Sequence, residues 1–187
     1  MGMRIVAGRW RGRSLATPPG TEFRPTQGRV REALFSRLTG CMESAVVVDL
    51  FAGSGSLGLE ALSRGARSAL FVERGPAALA ALRSNIQSLG AQDAAKVVAA
   101  DVFEFLEQST RVATGVTLLL ADPPYGDLAA QLAHRLEQTR AIEWGRGAIR
   151  VIECAARDAD WPTPAEWRRW PGRDSGDTRI VIEEWEA

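Results

Sequence analysis

The residues best suited to chemistry are Asp122-Pro123-Pro124-Tyr125, which close an apolar run from Val116 to Ala121. Two prolines cannot donate to a sheet ladder and fix their own φ, so the chain leaves the sheet rigidly at Asp122. A strand end in an α/β sheet is where ligands bind. This one presents a carboxylate, carbonyls on a stiff backbone and an aromatic ring within four residues, a set that suits a flat substrate bearing an amine. The lone pair of an exocyclic amine on a nucleobase is delocalised into the ring. Acceptors aimed at its N–H groups, here the Asp122 side chain and the Pro123 carbonyl, draw the nitrogen toward a tetrahedral form and free that lone pair. Tyr125 is placed to stack on the base, a contact worth about 1–3 kcal/mol. The plainer alternative is a strand end followed by a proline-rich turn with a surface tyrosine.

A second constellation lies upstream. Val46-Val47-Val48-Asp49-Leu50 reads as a β-branched strand and runs into Phe51-Ala52-Gly53-Ser54-Gly55-Ser56-Leu57-Gly58, from which a helix runs from Leu57 to about Arg64. The glycines permit a tight turn and a close backbone approach to a ligand, and the helix N-terminus offers unpaired N–H groups. The loop formally matches the dinucleotide pattern G-x-G-x-x-G, so a nicotinamide enzyme is one reading. Asp49, however, puts a carboxylate where a pyrophosphate would lie, and it is better matched to a cofactor with a cationic part. S-adenosylmethionine carries a sulfonium and an amino group. The strand Ala69–Val72 ends at Glu73, placed to accept from ribose hydroxyls, and Lys96–Ala100 ends at Asp101, placed to hold an adenine amino group with apolar neighbours from Val102 onward. For both acids a helix cap or a surface position is the alternative.

Positioning these groups requires alternating strands and helices. A helix is predicted from Pro76 to Leu89 with Gly90 ending it, another from Leu128 to about Thr139, a fifth strand over Gly147–Glu153, and two closing strands over Glu166–Trp170 and Asp177–Trp185. The 187 residues, 45% hydrophobic, suffice for one domain with an appendage. Cys41 and Cys154 are far apart and read as reduced cysteines, and no Cys, His and acid cluster has metal-ligand spacing, so no metal is expected. The start lacks a signal-peptide pattern and no apolar run approaches 18 residues. The expectation is a soluble, cytoplasmic, monomeric protein that binds no membrane.

Charge is balanced overall but not along the chain: residues 1–40 hold eight arginines against Glu22 and Glu32, a net +6, and the remainder is net −6. Such asymmetry predicts that the N-terminal segment grips a polyanion, with a solvated charged face as the alternative. Residues 4–17 read as two short strands about a Gly-containing turn, a ribbon whose Arg9, Arg11 and Arg13 would meet phosphates. Trp10 would either stack on a base or pack on the body. After a linker, Thr26 is a candidate N-cap for a helix from about Gln27 to Leu38, with Val30, Leu34 and Leu38 inward and Arg29 and Glu32 outward. Arg24 and Arg31 complete the candidate RNA-binding set. Residues 1–40 are thus read as an RNA-binding extension and 41–187 as the main domain.

The order Asp49-x-x-x-Gly53-x-Gly55, Glu73, Asp101 and Asp122-Pro123-Pro124-Tyr125 resembles the class I S-adenosylmethionine-dependent amino-methyltransferases. More narrowly, Arg4–Gly8, Arg11-Gly12-Arg13, the block Arg24-Pro25-Thr26 through Phe35 and the run Phe51–Arg64 look like the RsmD family, whose members methylate the N2 amine of one guanine in bacterial small-subunit (16S) ribosomal RNA. The resemblance spans nearly the whole chain, although Gln27-Gly28 stands where the family commonly has a Thr-Asp pair. It implies a Rossmann-like α/β fold, with a seven-stranded, mostly parallel sheet, helices on both faces and an antiparallel last strand, plus an N-terminal β-hairpin. It implies S-adenosylmethionine as cofactor, bound by Asp49, Phe51, Ala52, Gly53, Gly55, Glu73, Asp101 and Val102. Catalysis would fall to Asp122, Pro123, Pro124 and Tyr125, with small-subunit ribosomal RNA or the assembling 30S subunit as partner. A DNA amino-methyltransferase and a non-catalytic ribosome-assembly factor are the other readings.

Overall fold

Runs rich in Val, Ile and Leu can be buried on both faces only inside a parallel sheet covered by helices. Four such runs lie in β1 (Val46–Leu50), β2 (Ser68–Glu73), β4 (Ala113–Ala121) and β5 (Ile142–Ala155), and the half-exposed β3 (Ala95–Ala99) closes one edge of the sheet. The structure, a computed structural model, describes residues 2–20, 25–108, 110, 112–124, 128–159, 161, 163–172 and 174–186. The helices are α1 (Pro25–Arg37), α2 (Ser56–Ser63), α3 (Pro76–Leu89), α4 (Val102–Leu106) and α5 (Leu128–Gln138), and the chain closes with β6 (Trp167–Arg169), β7 (Asp174–Ser175) and β8 (Thr178–Trp185).

The strand order is β3-β2-β1-β4-β5-β8-β6, with β8 antiparallel to β5 and to β6. This is the seven-stranded, mostly parallel sheet that the resemblance implies. The two-residue β7 pairs beside it with β8, an eighth strand that the sequence reading lacks. β1 lies between β2 and β4, so the winding reverses there, and the crevice above that reversal is the expected ligand site. The register makes the crevice level. Val72 pairs with Leu50, Leu50 with Ala121, and Ala121 with Ile152. One residue beyond that row stand Glu73, Phe51, Asp122 and Glu153.

Alternation along the strands splits the core in two. Val47, Leu118 and Ile149 pack with α2, α3 and the N-terminal segment on one face, whereas Val48, Leu119 and Ile152 pack with α4 and α5 on the other. α1 begins at Pro25 and not at Gln27, since the ring's fixed φ suits the first helical turn. β4 and β5 start at Ala113 and Ile142, earlier than their apolar runs, because the ladder continues through register shifts between Ala113 and Leu118. Among the described residues no helix is long and apolar enough to cross a membrane.

The N-terminal segment is the short hairpin expected, although only the antiparallel bridge between Arg4 and Ser14 is regular: Ile5 N donates to Arg13 O at 3.0 Å, Gly12 N to Ile5 O at 2.9 Å and Leu15 N to Met3 O at 2.9 Å across its turn. The N–H groups of Val6 and Ala7 go instead to the carboxylate of Glu60, at 2.7 and 2.9 Å, and Glu60 is fully buried on α2. Gly8 holds a φ of +80° so close to α2 that a Cβ there would sit 1.9 Å from the Ser63 carbonyl oxygen. Asn85 on α3 donates to Ala16 O and accepts from Ala16 N. Ile5, Trp10 and Leu15 therefore belong to the same core as Leu59 and Leu62, and Leu34, Phe35 and Leu38 join it.

Candidate active site

The strand ends open into a cleft of about 530 Å³ whose walls include Glu73, Asp101, Asp122, Pro123, Pro124 and Glu153. A smaller cavity of about 240 Å³ shares Phe51, Asp122 and Glu153 and reaches Asp49, Gly53 and Arg31. Both lie where the winding reverses. The larger has the size of ordinary small-molecule sites.

The glycine loop is shaped by close approach. Gly53 has a φ of +57° and donates its N–H to Glu73 Oε2 at 2.8 Å, so the end of β2 holds the loop after β1. Phe51, a non-glycine residue with φ of +56°, occupies the sparsely populated left-handed region, and its ring meets that of Phe103 edge-on at 6.2 Å. These rings and Val102 give the large cleft an apolar wall beside polar acceptors. Gly58 donates to Asp49 Oδ2 at 2.9 Å, and a Cβ on Gly58 would sit 2.4 Å from the fully buried Phe71 ring. Gly55 lines neither cavity. It caps α2 at φ +82°, where a Cβ would sit 2.5 Å from the Leu82 side chain, so a glycine is needed there to shape the loop.

Carboxyl groups dominate the electrostatics. Asp49 is buried, and desolvation first, then the charges of Asp122 and Glu73, raise its carboxyl well above the usual range against the opposing Gly58 hydrogen bond. Asp122 is open at the mouth of the cleft yet recessed among protein atoms, and this recess pushes its carboxyl up to about 6. Glu153, half-buried within the neighbouring strand β5, is pushed up to about 7 by burial and then by Asp122. Among the described residues no protein group donates a hydrogen bond to the carboxyl of Asp122 or Glu153. A site whose acids are pushed up by burial, and Glu153 also by the charge of Asp122, favours a ligand that brings positive charge or N–H donors.

Glu73 uses Oε1 for the N–H groups of Arg74 and Gly75, at 2.9 and 2.6 Å. Asp101 caps α4 through Oδ1, at 2.8 Å from Phe103 N, and its Oδ2 holds Arg74 at 3.0 Å. The cap anticipated as the alternative is therefore present, and the same carboxylate still faces the cleft. Tyr125 and Arg24 lie outside the described residues.

Of the candidate RNA residues, Arg9, Arg11, Arg13 and Arg29 are exposed, and Arg9 lies 4.0 Å over the Trp10 ring. Two placements correct the sequence reading. Trp10 is 9% exposed and its backbone N–H donates to Ser63 Oγ at 3.0 Å, so it anchors the segment and offers no open face for a base. Arg31 is 6% exposed, donates to the Arg4 carbonyl at 2.5 Å, and has a buried Nε without a partner. It lies inward because it shares the helical stripe of Leu34 and Leu38, and it walls the smaller cavity in place of meeting RNA. The residue that sequence reasoning missed is Glu153. Its signal was the one used for Asp122, an acid at the end of an apolar strand, but here the strand continues to Ala155.

The chain matches, over residues 3–184, the family described as "Conserved hypothetical protein 95". It is 42% identical over 166 residues to Ribosomal RNA small subunit methyltransferase D of Escherichia coli K12, covering 88% of this chain and 81% of that one. It is 33% identical to the Haemophilus influenzae protein of the same name, covering 88% of this chain and 84% of that one. The solved structure of Escherichia coli YhhF superposes with a TM-score of 0.86 at 31% identity, covering 100% of this chain and 99% of that one.

Proposed function

Because this chain belongs to the Conserved hypothetical protein 95 family, that of ribosomal RNA small subunit methyltransferase D, we propose that it methylates small-subunit ribosomal RNA from S-adenosylmethionine, at the exocyclic N2 amine of a guanine. One observation carries this reading: a single cleft joins the acids ending β2 and β3 to Asp122-Pro123-Pro124 ending β4.

The residues present fit the cofactor. Glu73 has acceptor capacity for ribose hydroxyls, Asp101 for an adenine amine, and Phe51, Val102 and Phe103 supply the apolar wall. Asp49 and Arg31 face the smaller cavity as an acid and a base, matching an ammonium and a carboxylate on one amino-acid tail. When bound, S-adenosylmethionine supplies an electrophilic methyl group on a sulfonium.

The chain's own residues do the rest. Asp122 and the Pro123 carbonyl accept the amine's N–H groups and hold its lone pair toward the cofactor side, positioning worth far more than any acid–base step. One proton leaves the nitrogen once it is alkylated, and Asp122 is the acceptor at hand. Tyr125 stacks the base, which must be unpaired or flipped to reach a strand end. Residues 1–40 form the RNA-gripping extension, through Arg9, Arg11, Arg13 and Arg29, and residues 41–187 form the catalytic body. Asp122→Ala tests the assignment: turnover on small subunits should fall at least about 100-fold with cofactor affinity changed only a few fold. Activity close to wild type would remove Asp122 from the reaction.

A further inference from the structure

We infer that Glu153 is the specificity-determining residue of this site: it accepts the N1–H of the target base while Asp122 accepts from the N2 amine, so that guanine is selected over adenine. The inference rests on the proposed methyl transfer to an amine and names the base edge that the site reads.

Topology separates the two sides of the crevice. The acids assigned to the cofactor, Asp49, Glu73 and Asp101, lie at or near the ends of β1, β2 and β3, and the strand order places β4 on the far side of β1 from β2 and β3, with β5 beyond it. The substrate therefore lies over the ends of β4 and β5. Ala121 pairs with Ile152 in parallel register, so Asp122 and Glu153 follow at the same level on neighbouring strands. Both side chains line both cavities, and among the described residues neither carboxyl receives a hydrogen bond from the protein.

The chemistry of the base edge chooses among purines. Guanine presents two adjacent donors, N1–H and N2–H₂, which two side-by-side carboxylates can both accept. Adenine presents an N6–H₂ donor beside an N1 lone pair, and a second carboxylate facing that lone pair repels it. A site whose polar group is left unmatched rejects the wrong ligand strongly, and a repulsive element adds to the discrimination. Burial and mutual repulsion keep the pair poised to accept donors, consistent with carboxyls near 6 and 7. Asp122 alone would serve either amine. Glu153 is the group that distinguishes them.

The test uses a synthetic small-subunit RNA hairpin carrying the target guanine unmethylated, and the same hairpin with 2-aminopurine there. 2-Aminopurine keeps the N2 amine but has a lone pair at N1. The full-length wild-type protein should methylate guanine at least about 100-fold faster than 2-aminopurine in single-turnover competition. Glu153→Gln, whose amide can donate to an N1 lone pair, should lower that ratio at least tenfold, and Glu153→Asp should retain the guanine preference. Equal rates on the two bases with wild-type protein overturn the assignment, as does an unchanged ratio in Glu153→Gln. Inactivity of Glu153→Gln on both bases without recovery in Glu153→Asp makes Glu153 a structural residue and also overturns it. If wild-type protein methylates neither hairpin but modifies another RNA position or an adenine, the guanine reading fails first and this assignment with it.

Discussion

Methyl transfer should switch on with pH across the range in which Asp122 and Glu153 ionise. Both must be carboxylates to accept N–H groups, and their carboxyls stand at about 6 and about 7. Treated as two macroscopic steps of one pair, these values leave about 5% of the protein doubly ionised at pH 6, about half at pH 7 and about 90% at pH 8. The rate should therefore rise about 20-fold between pH 6 and pH 8. The other groups around the pair, Asp49 from β1, Glu73 from β2 and Arg31 from α1, shift the midpoint but not the direction. A cationic cofactor lowers both values, so the rise should appear at higher pH in kcat/KM, which reports the free protein, than in kcat. The assay is initial-rate transfer of labelled methyl to small subunits at limiting and at saturating cofactor. Glu153→Gln should leave a single ionisation with a lower midpoint, because the like charge beside Asp122 is gone. A flat profile from pH 6 to 8, or a rate that falls with pH, would refute the reasoning.

The same raised values penalise folding. Asp122 and Glu153 have folded values above those of an unfolded chain, so their ionisation favours the unfolded state; the penalty sets in as pH rises above about 4 and is complete above about 7. Asp122→Asn should thus melt higher than wild type at pH 8 and at the same temperature near pH 4, and a lower melting point at pH 8 would contradict this. Glu60→Ala strips a buried acceptor from Val6, Ala7 and Arg64 and should cost about 3–5 kcal/mol in denaturant unfolding, with faster hydrogen exchange at the first two amides. A loss under about 1 kcal/mol would mean that apolar contacts and the bonds to Ser63 and Asn85 hold the N-terminal segment without Glu60. Replacing Arg9, Arg11 and Arg13 together with Gln should weaken RNA binding and reduce the slope of log affinity against log salt by about 2–3. An unchanged slope would take the three off the RNA surface.

What could be read from the sequence was what is local. Asp122 stands out because Pro123-Pro124 interrupts an apolar run at a fixed point, and α3 was bounded because Pro76 and Gly90 punctuate both ends. Glu153 has no such punctuation: β5 runs on through Cys154 and Ala155, and only the register with β4 lifts Glu153 beside Asp122. The N-terminal hairpin was legible from its alternation and glycines, and its backbone bonds across the turn; what docks it was not, since Glu60, the acceptor for Val6 and Ala7 N–H, lies more than fifty residues away. Charge pattern could not separate Arg31 from Arg29, although helical spacing could, since Arg31 stands three residues before Leu34 and seven before Leu38 on one stripe. Trp10 shows the same limit. An aromatic among arginines fits a stacking platform and a buried anchor equally until the Ser63 contacts are known.

The central claim, methyl transfer to guanine N2 in small-subunit ribosomal RNA, is tested most directly by one labelling experiment. Small subunits from cells lacking this protein are incubated with it and labelled S-adenosylmethionine, and the RNA is digested to nucleosides. Label is expected in N2-methylguanosine at a single position. Label in any other nucleoside, or none despite measured binding of the cofactor, would contradict it.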